Sequence, residues 1–134
     1  MNNLSELRQQ IATSLTSIEG LSVSAYLPVA SEILPPCAFV LPKTIQYGFT
    51  LPRLNQRSYF NVQLLISRAK DLQESQSDID EYLSVQGSKS IAQAINTGNY
   101  TNISHVHCET LDQYGGFNYY ETIYWGALFT VDTY

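Results

Sequence analysis

The chain has 134 residues, a length typical of one domain, and a formal net charge of −5. This acidic balance disfavours binding to nucleic-acid phosphates. Charged residues make up only 14% of the chain, against about a quarter in an average soluble domain, and ten residues are tyrosines. Such a surface is often covered by a protein partner; the alternative is a tyrosine-rich sheet with an ordinary solvated face.

Membrane and secreted proteins are also disfavoured. The first ten residues contain no apolar leader, and no stretch approaches the roughly 18 apolar residues of a membrane span, so we expect an intracellular protein with no membrane partner. Cys37 and Cys108 are far apart and form no spaced framework. Their placement favours two small buried thiols over a disulfide.

The chain begins with a predicted amphipathic helix over residues 4–16, because leucine and isoleucine recur there at three- and four-residue steps. Asn3 can cap the first turn, with Glu6 as its reciprocal partner. Gly20 lies just past the predicted end of the helix. A short strand over residues 22–27 is expected to follow.

The middle of the chain predicts strands separated by turns, since all five prolines fall between residues 28 and 52. Residues 37–41 are apolar throughout, as in a short strand covered on both faces. Apolar and polar residues then alternate on both sides of a loop at residues 52–56. This pattern predicts a long hairpin over residues 44–66.

Two helices are predicted after this hairpin. Asp71 and Glu74 form a capping box at the start of an acidic amphipathic helix that ends near Val85. A shorter helix follows, with Ser88 as its predicted cap and Gly98 at its end.

The last third of the chain predicts two antiparallel strands, residues 102–112 and 117–131, joined by a tight turn at Gly115 and Gly116. The expected fold class is therefore α+β. We expect one domain over residues 1–134, with a mostly antiparallel four- to five-stranded sheet. The N-terminal helix and the helical pair should pack on one face of this sheet.

The final strand has two predicted faces. Every second residue from Phe117 to Val131 is apolar except one, so Trp125 and Phe129 are expected in the core. Tyr120 and Tyr124 fall on the opposite face and are expected to be exposed. Gly126 is the predicted position of a bend or bulge.

The densest group of metal-ligating residue types is His105, His107, Cys108 and Glu109. On a strand the two histidines would share a face about 7 Å apart, but Cys108 would point the other way and no second ligand cluster follows. The sequence also lacks the G-x-S-x-G nucleophile motif and the phosphate-binding glycine patterns. A small metal-binding enzyme that uses His105 and His107 is the less favoured alternative.

Charge is segregated along the chain. Five of the seven basic residues lie between residues 43 and 70, and five acidic residues crowd the helix that follows. Both groups can be ordinary solvated faces. The alternative is that one segment meets the other across a head-to-tail subunit boundary.

The order of short segments resembles the tail terminator, or tail completion, proteins of long-tailed bacteriophages, such as the lambda tail terminator. The resemblance lies in an I-x-G-L phrase after the first helix, then PPCAFVLP with TIQYGFT, the central strand YFNVQLLISRA, an acidic helix, GSKSIAQAI, and the closing YWGALFTV. It covers nearly the whole chain.

The resemblance implies a homohexameric ring at the head-proximal end of the tail tube, with no catalytic residue, cofactor or metal. Its partners would be copies of itself, the tail tube protein and the head-tail connector or stopper protein, and genomic DNA would pass through the lumen without specific binding. The expected location is the virion neck, and the host cytoplasm during assembly. Another neck or tail component, such as a head-completion, stopper or tube subunit, is the nearest alternative.

The resemblance assigns no contact residues, so candidates for the subunit or partner interface come from the predicted hairpin tip, the acidic helix and the exposed tyrosines. They are Tyr47, Phe49, Arg53, Arg57, Asp78, Glu81, Tyr120 and Tyr124.

Overall fold

The computed structural model describes residues 4–47, 56–68, 72–101 and 103–134. Within these ranges, three α-helices and five strands follow one another, with one short 3-10 helix between the first two strands. In order they are α1 (Leu4–Leu15), β1 (Ser22–Ser24), the 3-10 helix (Ala30–Glu32), β2 (Cys37–Tyr47), β3 (Gln56–Arg68), α2 (Leu72–Leu83), α3 (Ile91–Asn96), β4 (Val106–Tyr119) and β5 (Thr122–Thr133).

The strands form one sheet in the order β1-β2-β3-β5-β4. Three neighbouring pairs are antiparallel, but β1 runs parallel to β2, so the sheet is mixed. The predicted α+β class is confirmed, and the five strands fall within the predicted four to five. The parallel pair arises because residues 25–36 carry the chain back before β2 begins, and a parallel partner needs such a crossover.

The predicted hairpin is confirmed as the β2–β3 pair, in which Tyr47 lies opposite Gln56. Residues 37–41 are the first part of the same strand β2, and Cys37 to Val40 are buried, as predicted for a strand covered on both faces. The pairing slips between Pro42 and Thr44, which leaves Lys43 as the extra residue of a bulge directly after the proline. Proline cannot donate a ladder hydrogen bond, so a bulge is a suitable position for it.

The helices pack on one face of the sheet and form the main core with it. In α1 the buried residues include Leu7, Ile11 and Leu15, which confirms the predicted apolar stripe. Phe60 and Phe129 contribute from β3 and β5. The predicted cap Asn3 lies outside the described residues. The main core also contains Ile79, Tyr82, Ile91 and Ile95 from the other helices, with Val62, Leu64, Ala127 and Val131 from the strands.

Helix α3 begins at a different residue from the one predicted. Ser90, and not Ser88, is its cap: the Ser90 hydroxyl oxygen accepts from the backbone N–H of Gln93 at 3.1 Å. Ser90 holds this position because its hydroxyl also donates to the Ser84 carbonyl, which ties α3 to the end of α2. The predicted capping residue Asp71 lies outside the described residues.

The C-terminal hairpin turns at Tyr120 and Glu121, so the prediction of a turn at Gly115 and Gly116 is wrong. Tyr120 and Glu121 have φ angles of 53° and 65°, the two successive positive values that a tight hairpin turn requires. The two glycines lie inside β4, where Gly115 pairs with Gly126 across the hairpin.

Gly126 marks a close approach between β5 and β3. A Cβ atom at this position would lie 2.0 Å from the backbone oxygen of Leu64, so no side chain fits. The predicted bulge is present at this level, but in the neighbouring strand: Leu65 pairs with Gly126 and Ser67 with Trp125, which leaves Ile66 as the extra residue.

The end of the β4–β5 hairpin folds over the second face of the sheet. The ring of Tyr119 meets that of Phe39 on β2 edge to face, with 5.4 Å between centroids, and its hydroxyl donates to Gln63 Oε1 on β3 at 2.8 Å. A second apolar cluster forms beneath it from Ile33, Cys37, Phe39, Leu65 and Tyr124. The sheet is therefore covered on both faces at this end.

Candidate interaction surfaces

The predicted hairpin tip is described only at its base. Tyr47 ends β2 and is 75% exposed, as expected for a contact residue. Phe49 and Arg53 lie outside the described residues, so their proposed contacts stay predictions.

Arg57 on β3 is held by an ion pair within the chain. Its Nε and Nη2 atoms donate to the two carboxylate oxygens of Asp132 on β5, at 2.9 and 2.5 Å. The rings of Tyr59 and Tyr134 lie 5.5 and 5.1 Å from the guanidinium carbon. The hydrogen bonds to Asp132 raise the pKa of Arg57. Asp132 is buried, so this pair satisfies a carboxylate that would otherwise be costly to bury.

The two histidines of the possible metal site lie near this ion pair. Their ring centroids are 6.0 Å apart, close to the separation expected for neighbours on one strand face. His105 stacks on Tyr134 at 4.6 Å and its Nε2 lies 3.5 Å from Asp132, whereas His107 Nδ1 lies 3.2 Å from Asn96 Oδ1. The described residues contain no group of three or more metal-ligating side chains.

A second polar cluster joins β2, β4 and β5. Lys43 donates to Asp112 and to the Thr130 hydroxyl, both at 2.9 Å, and the Thr130 hydroxyl also bonds Asp112. The Thr110 hydroxyl donates to the other carboxylate oxygen at 2.6 Å. The hydrogen bonds from Thr110, Thr130 and Lys43 lower the pKa of Asp112 to about 2, with the Thr110 bond the largest cause.

The acidic helix α2 presents the carboxylates of its second half, Asp78, Asp80 and Glu81, to solvent. Asp78 and Glu81 are exposed, and Glu81 pairs with Lys89 at 3.2 Å beside the ring of Tyr82. Lys43 and Arg57, from the basic segment, pair with strand carboxylates of their own chain and not with α2. A contact between α2 and a neighbouring subunit therefore stays a prediction.

The two candidate tyrosines of the last hairpin have opposite environments. Tyr120 is 52% exposed at the turn, and its hydroxyl donates to the Pro28 carbonyl at 2.9 Å. Tyr124 is 4% exposed, so the prediction that it lies on an open face is wrong. Residues 25–36 and the folded hairpin end cover that face, and this coverage comes from segments distant in sequence.

The candidates do not converge on one site. Tyr47 and Arg57 lie near the base of the β2–β3 hairpin, Asp78 and Glu81 lie on α2, and Tyr120 lies at the β4–β5 turn.

Sequence reasoning missed the two strand carboxylates that organise the polar clusters, Asp112 and Asp132, of which only Asp132 is buried. Both lie on strands next to apolar neighbours. A strand carboxylate in such a position must find a cation or donors if it is buried, and that was the available signal.

No helix in the described parts of the chain is long and apolar enough to cross a membrane. No family model matches the chain, and no curated protein sequence is significantly similar to it.

Proposed function

We propose that this protein is a structural subunit that forms a ring with copies of itself, and that the ring is the terminator at the head-proximal end of a phage tail tube. The observation that carries the ring is a sheet with two open edges of opposite strand direction. The order of sequence segments supports the tail role.

The first open edge is the outer side of β2. Strand β1 pairs with β2 only from Cys37 to Phe39, so residues 41–47 have no strand beyond them within the described part of the chain. The second open edge is β4 beyond Cys108, since β4 is the last strand on the other side of the sheet among the described residues. Each edge offers backbone donors and acceptors to a further strand.

The directions of the two edges are compatible with closure. β2 is antiparallel to β3, β3 to β5, and β5 to β4, so β2 and β4 run in opposite directions. A β4 strand placed beside the β2 strand of a neighbour therefore makes an antiparallel pair, the same kind that joins the strands inside each subunit. Such head-to-tail contacts join unlike edges and generate a ring when the rotation closes.

The β4 edge also carries features of a regulated joint. Its pairing with β5 slips between Cys108 and Thr110 and again between Leu111 and Gln113, and such bulges limit uncontrolled strand addition. The register is continuous from Gln113 to Tyr119. Leu111 lies exposed just before this regular stretch, on the other side of the second bulge.

The ring can be tested with an edge-blocking variant. Leu111→Lys places a charge beside the open edge, and Val85→Lys is its matched control, because Val85 is an exposed apolar residue outside the sheet. We expect closed rings from the wild type and Val85→Lys, and monomers from Leu111→Lys, by light scattering and negative-stain microscopy.

Two results would contradict the proposal. If the wild-type protein is a monomer at a concentration of about 100 µM, it does not form a ring in solution. If Leu111→Lys forms the same rings as the wild type, the β4 edge is not the contact between subunits. A tube subunit would use the same edges but stack its rings, so long tubes in the micrographs would favour that alternative over a terminator.

A further inference from the structure

Residues 25–36 cross the second face of the sheet in a fixed conformation; we call them the anchored segment. The Ser24 hydroxyl donates to the Tyr26 carbonyl at 2.7 Å, and the Arg8 guanidinium lies 4.5 Å from the centre of the Tyr26 ring. Tyr120 bonds the Pro28 carbonyl from the opposite side. Ile33 is buried in the second apolar cluster. The anchored segment is thus held at both ends and in its middle.

The anchored segment nevertheless directs large apolar side chains into solvent. Val29 is 58% exposed and Leu34 is 66% exposed, and Tyr26 and Leu27 are also exposed. Four exposed apolar residues thus fall within nine positions of the chain, and we call this set the apolar patch; exposed apolar surface often marks a protein contact. Because the backbone is already ordered, a partner would bind without the entropy cost of folding this loop.

A pocket of about 290 Å³ lies between the anchored segment and strands β1 and β2. Its walls combine the apolar Phe39 and Pro28 with the polar Ser22 and Ser24, and Glu32 supplies a carboxylate. No cation pairs with Glu32 among the described residues. Burial raises the pKa of the adjoining Cys37 thiol to about 11, so this thiol adds no charge to the pocket at neutral pH.

We infer that the apolar patch and this pocket form a docking site for a protein segment that carries a lysine or arginine flanked by apolar residues. A long basic side chain has an apolar stem, which suits the walls formed by Phe39 and Pro28, and a cationic end, which suits Glu32. The flanking apolar residues would cover Val29 and Leu34. The site uses a face of the sheet and not its open edges, so it does not depend on the proposed ring.

The test uses a blocked Leu-Lys-Leu tripeptide as the probe and a Leu-Glu-Leu tripeptide as its matched control. Titration into ¹⁵N-labelled protein should shift the amide signals of residues 22–39 with the lysine peptide only. Glu32→Gln should weaken binding about fivefold, the effect of one partly desolvated ion pair. Glu19→Gln changes an exposed carboxylate elsewhere and should leave the affinity unchanged.

The apolar patch is tested by Val29→Ser and Leu34→Ser, with Val85→Ser as the control for loss of an exposed apolar residue. We expect Val29→Ser and Leu34→Ser to bind the lysine peptide more weakly than the wild type, and Val85→Ser to bind it with wild-type affinity. Equal binding of the two peptides, equal affinity of Glu32→Gln and wild type, or shifts confined to other residues would overturn the inference. So would a change of oligomeric state in Val29→Ser with unaltered peptide binding, because a second copy would then cover the patch.

Discussion

The close approach of β5 to β3 at Gly126 makes Gly126→Ala a sharp test of how the sheet is packed. The added methyl would lie 2.0 Å from the Leu64 carbonyl oxygen, and this oxygen is backbone, so it cannot rotate away as a side chain would. Overpacking of a well-packed interior costs about 1–3 kcal/mol, and a rigid backbone neighbour favours the upper end. Because alanine lowers the conformational entropy of the unfolded chain, the substitution also stabilises the fold by about 0.4–1 kcal/mol, which offsets part of this cost.

The net expectation is a loss of about 2–2.5 kcal/mol in the free energy of unfolding, or about 8–10 °C in Tm for a chain of this size. Gly116→Ala is the matched control in the same hairpin, because its methyl would meet only Cγ2 of the exposed Ile123, at 3.2 Å. We expect the control to be as stable as the wild type or slightly more stable.

Urea unfolding followed by the fluorescence of Trp125, the only tryptophan, measures both variants. Protein concentration must be the same in every sample, since self-association adds to apparent stability. If Gly126→Ala unfolds at the wild-type urea concentration, or if both glycine variants lose the same stability, the described contact between β5 and β3 is incorrect.

Three other substitutions or treatments test the core and the polar clusters. Phe129→Ala should lower the free energy of unfolding by about 3–5 kcal/mol, since Phe129 is buried in the main core; wild-type urea stability would contradict this. Asp112 has its pKa lowered from 3.8 to about 2 on folding, so it stabilises the fold above pH 4 and this contribution is lost as the pH falls from about 4 to 2. Asp112→Asn should flatten the stability profile over that range, whereas Asp80→Asn, on the exposed side of α2, should not; identical profiles would count against the Lys43 cluster. Burial raises the pKa of both Cys37 and Cys108 to about 11, so neither thiol should react with iodoacetamide at pH 8 until urea unfolds the protein, and rapid labelling of the native protein would refute their burial.

The elements with strong periodicity could be predicted from the sequence. Helix α1 and the β2–β3 hairpin follow from apolar residues at helical and alternating spacing, since α1 buries one face and β3 alternates buried and half-buried residues from Ser58 to Val62. Local pattern decides such elements, and distant segments change them little.

The C-terminal hairpin shows why the turn could not be predicted. Two adjacent glycines are the better turn signal, yet Gly115 pairs with Gly126 where the hairpin passes close to β3. The turn instead uses Tyr120 and Glu121, both with a left-handed backbone conformation. Residues other than glycine rarely adopt this conformation. The contact with Leu64 requires a glycine at Gly126 alone, and no local pattern reveals that contact; Gly115 instead has a φ of 143° within the strand.

The environment of the candidate site residues was also set at long range. Tyr124 is buried because the anchored segment and the hairpin end cover it, and Arg57 is paired because Asp132 lies beside it 75 positions later in the chain. Alternation indicates which residues share a face of a strand. It does not indicate whether that face is covered or which charges meet on it.

Hydrogen exchange at two protein concentrations measures the central proposal, that the open edges of β2 and β4 join neighbouring subunits. Amides in residues 41–47 and 113–119 should exchange more slowly at a protein concentration of about 100 µM than at about 1 µM, because strand pairing between subunits protects them. Amides in β1 are the internal control and should not change. Self-association that leaves both edges unprotected, or exchange that is independent of concentration at every amide, would contradict the proposed ring.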